Sequence, residues 1–163
     1  MRRHPERVEP RPGQESVWDY PRPPRLEKAR QRVRVELAGL TIADSLEAYR
    51  VLETSHPPVY YVHRADIDAA AIAESAAPST YCEFKGMARY LDVGGRPAAA
   101  WCYPQPSQGY EAMAGHVAFY PAKMDACWVG GERVQPQEGD FYGGWVTRDI
   151  VGPFKGAPGT SGW

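Results

Sequence analysis

The stretch of residues 80–93, TYCEFKGMARYLDV, decides how this chain folds. Aromatic and β-branched residues are frequent on both sides of Gly86, so the stretch predicts a strand, a kink and a second strand. The turn residues Gly94-Gly95-Arg96-Pro97 follow directly, and residues 98–103 predict a third strand. Short strands joined by turns are typical of an antiparallel β-sheet.

The same pattern continues on both sides of this stretch. Residues 32–37 alternate polar with apolar side chains, and Ala38-Gly39 provides a turn before 40–43, which predicts a hairpin. Residues 46–53 fit either a helical turn or a strand. The chain also holds 16 Gly and 16 Pro, which excludes a helical bundle. Further strands are predicted at residues 59–62, 117–120 and 126–129.

One segment predicts a helix. Residues 66–77 begin with Asp66 and Asp68, continue with strong helix formers and end before Pro78. We therefore expect a mainly β fold of small antiparallel sheets with one short peripheral helix.

Four segments are expected along the chain. Residues 1–16 are polar and Pro-rich, which predicts a flexible tail, and residues 17–31 combine large aromatics with several prolines in an extended arm. Residues 32–140 are expected to form the β domain. Residues 141–163 are rich in Gly, Pro and aromatic side chains, and we expect them to wrap back onto the domain.

Charge and composition limit the classes of function. The formal net charge is −1 at pH 7, although Arg and Lys are concentrated in residues 1–34. These cations are interspersed with Pro and Glu and form no run, so nucleic-acid binding through the N-terminal arm is the weakest alternative. No apolar stretch is long enough for a membrane span and no export signal is evident, so we expect a cytoplasmic protein.

The sequence predicts no metal site and no cofactor. Cys82, Cys102 and Cys127 include no C-x-x-C pair, which excludes a zinc ribbon and a disulfide framework. The histidines likewise lack the spacing of metal ligands. Gly-rich phosphate loops of the standard types are absent.

Several short motifs together resemble one known family. In order and spacing they resemble the domain of unknown function 427 family, which carries a nucleotidyltransferase-like label. The motifs lie between about residues 33 and 130 and are Ile42-Ala43-Asp44-Ser45, Glu53, Pro57-Pro58, Tyr60-Tyr61, Thr80-x-Cys82-x-Phe84-Lys85-Gly86-x-Ala88-x-Tyr90, Ala100-Trp101-x-Tyr103-Pro104-x-Pro106 and Gly115-x-Val117-Ala118-Phe119-Tyr120.

The resemblance implies a β-tent, or Mss4-like, fold, in which two small antiparallel sheets lean together with a pocket between them. Relatives with this fold include methionine sulfoxide reductases of the B type and the cereblon ligand-binding domain, and they usually carry two Cys-x-x-Cys knuckles for structural zinc. This chain has no such knuckle, so neither zinc nor reductase activity is carried over. Glu83 departs from the family pattern, which often has Pro there, and adds a carboxylate beside Cys82.

Glu53, Lys85 and Glu83 are the candidate catalytic residues. In the family fold Lys85 would face Glu53, where an ammonium among aromatic side chains could hold an anion or act as a base or Schiff-base nucleophile. The glutamates could serve as general acid and base if burial raised a pKa toward neutrality. The simpler alternative is a Lys–Glu pair on the surface of the sheet.

Aromatic side chains near these groups are the candidate ligand-binding residues. An apolar cleft with a few polar tips is the usual make-up of a small-molecule site, whereas the alternative for each aromatic is packing in the core. Cys82 could also be a nucleophile activated by Lys85, although buried cysteines are mostly inert. The ligand-binding candidates are Tyr60, Tyr61, Tyr81, Cys82, Trp101 and Tyr103.

Two hypotheses of different classes follow from these candidates. The first is a protein that binds a small planar or anionic molecule in an aromatic cleft, with acid/base catalysis by Glu53, Glu83 and Lys85 as an extension. The second is a non-catalytic interaction module whose aromatic arms dock a partner protein, or a second copy of the chain as a homodimer. The sequence therefore predicts a place for a ligand and not a named reaction.

Overall fold

The computed structural model describes residues 4–139 and 141–163, so the first three residues of the predicted tail and position 140 at a predicted boundary lie outside the described residues. Its regular structure is mostly strand, which confirms the prediction of a mainly β fold. In chain order the strands are β1 (Glu15–Ser16), β2 (Arg25–Lys28), β3 (Val33–Leu37), β4 (Leu40–Ser45), β5 (Tyr49–Leu52), β6 (Val59–Tyr61), β7 (Ile72–Glu74), β8 (Thr80–Cys82), β9 (Gly86–Val93), β10 (Arg96–Cys102), β11 (Val117–Phe119), β12 (Ala126–Val129), β13 (Glu132–Arg133), β14 (Gln135–Pro136), β15 (Trp145–Val146) and β16 (Ile150–Val151).

Two antiparallel sheets meet at a single pair of residues. One sheet has the order β2-β5-β6, and the other has the order β11-β10-β9-β7 with β8 paired to β9. Val62, just after β6, pairs with Val117 at the start of β11, and the backbone N–H of each donates to the carbonyl of the other over 2.8 Å. Through this pairing β6 lies beside β11. Strand β5 then lies on the far side of β6, and β10 and β9 lie on the far side of β11.

A third antiparallel sheet, of order β13-β12-β3-β4, contributes to the main core. Along β3 the residues Val33, Val35 and Leu37 are buried and the two between them are half-buried, as expected when one face of a strand packs inward. Their side chains belong to one buried cluster that also contains Tyr60 and Phe119 of the joined sheets.

The stretch 80–93 forms the two predicted strands, and the structure pairs them as a hairpin. Strands β8 and β9 pair from Thr80 opposite Ala88 to Cys82 opposite Gly86, and residues 83–85 make the turn. Gly86 has a φ of +108°, a backbone conformation that favours glycine. The ambiguous segment 46–53 contains strand β5.

The prediction of a helix over residues 66–77 is wrong. This segment contains two single 3₁₀ turns, Arg64–Asp66 and Ala69–Ala71, and then strand β7. The Asp68 side chain accepts from a backbone N–H of the second turn, and β7 pairs with the end of β9. Pairing with a sheet gives these backbone groups tertiary partners, whereas an isolated helix this short is marginal in water. The other 3₁₀ turns are Val17–Asp19, Glu111–Met113 and Pro121–Lys123.

The N-terminal and C-terminal segments pack on each other and on the body. Strand β1 pairs in parallel with β16, and β14 pairs with β15 across the boundary that the sequence predicts between the last two segments. Tyr20 shares a buried cluster with Leu52 and Ile150, and the Trp18 Nε1 donates to the Pro153 carbonyl over 2.8 Å. Both aromatic arms therefore contact their own chain. Within the described residues there is no helix whose length and apolar character would let it cross a membrane.

Trp145 ties the C-terminal segment to the main core. Its side chain is fully buried, its Nε1 donates to the Phe119 carbonyl over 3.2 Å, and its ring lies 5.0 Å from that of Tyr60. Trp145→Ala should therefore lower the free energy of unfolding by about 3–5 kcal/mol, measured by urea denaturation. Leu46→Ala, at a residue that is 74% exposed, is the control and should change it by less than about 0.5 kcal/mol. Equal losses in both variants would contradict this role for Trp145.

Candidate functional site

A cavity of about 230 Å³ lies between the two sheets that Val62 and Val117 join. Strands β5 and β6 form one side, β8, β9 and β10 form the other, and residues of the C-terminal segment close it. The cavity brings together seven of the nine predicted site residues, namely Glu53, Tyr61, Tyr81, Cys82, Lys85, Trp101 and Tyr103.

Tyr60 is one of the two predicted site residues that the structure places elsewhere. Successive side chains of a strand point to opposite faces, so Tyr60 and Tyr61 on β6 cannot both line one cavity. Tyr61 is 2% exposed, and its ring lies 6.3 Å from those of Trp101 and Tyr103. Tyr60 packs in the main core instead, which corrects its predicted role.

Glu83 is the other such residue. It lies in the turn between β8 and β9, is exposed and does not line the cavity. Its neighbour Lys85, at the end of the same turn, directs its ammonium into the cavity with a side chain only 12% exposed. Since the turn sends Lys85 inward and leaves Glu83 in solvent, we remove Glu83 from the candidate site.

Glu53 lies at the charged end of the cavity, directly after β5. Its Oε1 is 3.7 Å from the Lys85 Nζ, and its Oε2 is 3.7 Å from both the His56 Nε2 and the Arg22 Nε. Ordinary charge-assisted hydrogen bonds are about 2.7–2.9 Å long. Glu53 is thus surrounded by three donor groups, none of which holds it closely.

Gln137 fixes the orientation of His56. The Gly144 backbone N–H donates to the Gln137 Oε1 over 3.0 Å, so the amide nitrogen must face the other way. This Nε2 donates to the Lys155 carbonyl over 2.6 Å and to the His56 Nδ1 over 3.2 Å. Because Nδ1 is an acceptor, the proton of neutral His56 is on Nε2, the nitrogen that faces Glu53.

The protonation states of His56 and Lys85 differ at neutral pH. Burial lowers the pKa of His56 to about 3, and the charges of Lys155, Lys85 and Arg22 act in the same direction, so the imidazole is neutral. Burial also disfavours a charge on Lys85, but the surrounding groups, among them the Glu53 carboxylate 3.7 Å away, outweigh this effect and raise its pKa. A protonated amine has no lone pair to act as a base or Schiff-base nucleophile, which favours anion binding.

Aromatic rings line much of the cavity. The ring centroids of Trp101 and Tyr120 are 4.6 Å apart, and burial raises the pKa of Tyr61 and Tyr103, which keeps both phenols neutral. A Cβ on Gly143 would lie 2.4 Å from the Trp101 ring. Only glycine therefore lets the C-terminal segment lie this close to the indole.

The residues that line the cavity without having been predicted as site residues include His56, Gln137 and Tyr142. His56 lies three residues after Glu53 and directly before Pro57-Pro58, and this proximity in sequence to Glu53 is the signal that points to it. Gln137 and Tyr142 come from segments far along the chain from the motifs. Nothing local in the sequence places them near Glu53.

A larger open groove of about 830 Å³ runs past the end of β7, and none of the predicted site residues lines it. Its two arginines, Arg64 and Arg89, are exposed. The smaller cavity instead combines buried charges with aromatic walls, the usual composition of a ligand site. Throughout residues 4–139 and 141–163, no group of three or more His, Cys, Asp and Glu side chains is arranged to hold a metal ion.

The low pKa of His56 predicts a loss of stability in acid. Between pH 6.5 and about 3 the unfolded chain binds a proton at His56 that the folded chain does not, so the free energy of unfolding should fall as the pH falls. The loss should reach about 4 kcal/mol at the lower end of this range. Urea denaturation of His56→Gln should show a shallower decline, whereas His63→Gln, at an exposed histidine, should keep the original one. Parallel declines in all three proteins would disprove the role of His56.

The curated proteins include no match to this chain. A family profile, in contrast, matches residues 25–130, which is about two thirds of the sequence. The matched range contains Glu53, His56 and Lys85, whereas Gln137 and Tyr142 lie beyond it. The chain therefore belongs to the family described as "Domain of unknown function (DUF427)", the family that its motifs resemble.

Proposed function

We propose that the cavity binds a small anionic molecule with a flat, largely apolar body. The observation that carries this proposal is the placement of Lys85, a protonated ammonium that is 12% exposed and has its nearest carboxylate oxygen at 3.7 Å. Burying an ammonium costs free energy unless a close partner compensates for its lost hydration. A bound anion would provide that partner.

The size and walls of the cavity favour a ligand with a single ring. Sites for drug-sized molecules usually have volumes of about 300–1,000 Å³, and this cavity has about 230 Å³. The Tyr61, Trp101 and Tyr103 side chains offer faces and edges on which a planar ring can pack. A ligand of this class would lie with its anionic group toward Lys85 and its ring against these aromatic side chains.

Acid/base catalysis by Glu53 is a second proposal for the same site. Glu53 is the candidate carboxylate that lines the cavity, and a ligand held by Lys85 would have atoms beside it. Binding comes first in this scheme, because a general base must lie within hydrogen-bond reach of the proton that it removes.

The interaction-module and nucleic-acid alternatives have less support. Trp18 and Tyr20, the large aromatic residues of the N-terminal arm, contact their own chain. Of the basic residues within 1–34, Arg7, Arg22 and Arg25 pair with carboxylates. Side chains engaged in this way are less available to a protein partner or a polyanion.

Lys85→Met tests the proposed anion contact. The variant keeps a long side chain but removes the charge, so its affinity for 4-hydroxybenzoate should fall at least about tenfold in isothermal titration calorimetry at pH 7.5. Binding of the neutral analogue 4-hydroxybenzamide should change little. Lys28→Met is the matched control, since Lys28 pairs with Glu47 on the surface away from the cavity. Unchanged affinity of Lys85→Met for the acid would refute the proposal.

The neighbouring tyrosines of β6 test the aromatic wall. Tyr61→Leu should weaken binding of both the acid and the amide about tenfold, because each ligand loses the same ring contact. Tyr60→Leu should leave both affinities unchanged and lower only the stability, since its ring packs in the main core. Equal effects of the two variants on affinity would show that the ligand does not bind against this face of β6.

A further inference from the structure

The surroundings of Glu53 indicate what kind of anion the cavity takes. Lys85, His56 and Arg22 each lie 3.7 Å from one of its carboxylate oxygens. Where an arginine of this chain holds a glutamate firmly, as Arg50 does with Glu15, the distance is 2.7 Å. Glu53 thus compensates the positive charge of Lys85 and Arg22 without forming a short hydrogen bond with any of its three neighbours.

Other groups hold these donors in place. Gln137 fixes the His56 ring, and the Arg22 Nη2 donates to the Thr54 carbonyl over 3.0 Å. The Lys85 side chain is confined by the cavity wall. The donor positions therefore do not depend on Glu53, and another carboxylate could take its place among them.

The three donors differ in their access to the cavity, although His56 and Arg22 approach the same oxygen of Glu53, Oε2. Lys85 and His56 line the cavity, whereas Arg22 does not line it and its side chain is 40% exposed. A shift of the Glu53 carboxylate toward Arg22 would keep one ion pair and free the other two donors. The arrangement offers the glutamate a partner outside the cavity when a ligand enters.

We propose that the ligand is an aromatic carboxylic acid whose carboxylate replaces Glu53 as the partner of Lys85 and of the His56 Nε2–H, while Glu53 stays with Arg22. This inference rests on the proposed function and names its substrate class. Glu53 is then an internal counter-ion that competes with the ligand, and His56 is a specificity-determining residue that acts as a neutral donor. No covalent bond changes in this exchange.

A carboxylate fits the two freed donors better than a phosphate does. It carries one negative charge and two oxygens, which match one ammonium and one neutral N–H. A phosphate monoester carries about 1.5 to 2 negative charges at pH 7, and the second charge would face Glu53 with no further cation lining the cavity among the described residues. The neutral imidazole thus selects against the dianion.

Glu53→Gln is the central experiment, because it removes the competing charge and preserves the shape of the side chain. Its affinity for 4-hydroxybenzoate should rise about fivefold or more over the unchanged chain in calorimetric titration. Affinity for 4-hydroxybenzamide should stay within about twofold. Glu27→Gln, which removes a glutamate paired with Arg50 and Arg25 outside the cavity, should leave both affinities unchanged.

His56→Phe gives a second test that does not depend on how well Glu53→Gln folds. It keeps a ring in place but removes the N–H donor, so affinity for 4-hydroxybenzoate should fall about fivefold while that for the amide stays similar. Far-UV circular dichroism verifies the fold of each variant.

The outcomes separate the two levels of the proposal. Unchanged or weaker binding of the acid by Glu53→Gln, together with the expected loss in Lys85→Met, overturns the counter-ion role and leaves the proposed function standing. Tighter binding of phenyl phosphate than of 4-hydroxybenzoate by the unchanged chain overturns the carboxylate class. Failure of the unchanged chain and of Glu53→Gln to bind either anion overturns both.

Discussion

The candidate site depends on the backbone pairing of Val62 with Val117. Two hydrogen bonds of 2.8 Å join a three-stranded sheet to the edge strand β11 of its neighbour. Both valines are fully buried, so leaving these backbone groups unpaired would be costly. The pairing sets β6 beside β11, and because side chains alternate along each strand, it sends Tyr61 into the cavity and Tyr60 into the core.

The charged end of the cavity follows from what surrounds Glu53. The imidazole of His56 is kept neutral by burial and by nearby cations, so of the three donors around Glu53, Lys85 and Arg22 carry the positive charge. Each lies at 3.7 Å from the carboxylate, which leaves the ammonium of Lys85 short of a close partner in a partly desolvated position. These features support the proposal of an anionic ligand, and the aromatic walls would suit the body of the same molecule.

Residues 80–93 show how far sequence reasoning reached. The strand-forming residues around Gly86 predicted two strands there, which the structure pairs through a turn at residues 83–85, and Lys85, Cys82 and Tyr81 do line one cavity. Glu83 was also a predicted site residue, although the turn leaves it in solvent. It also predicted a helix over 66–77, where propensity favoured a helix but pairing with β9 made Ile72–Glu74 a strand. Local preference is a weak guide where a sheet edge lies within reach.

The sequence by itself determined the mainly β class, the family and most of the residues that surround the cavity, because those properties follow from local periodicity and from motifs at fixed spacing. Only the tertiary structure decided that Gln137 orients His56, that Gly143 lies against Trp101, and that Glu53 lies among three donors. These contacts join segments separated by many residues. Their formation depends on how the two sheets and the C-terminal segment pack, which no local pattern encodes.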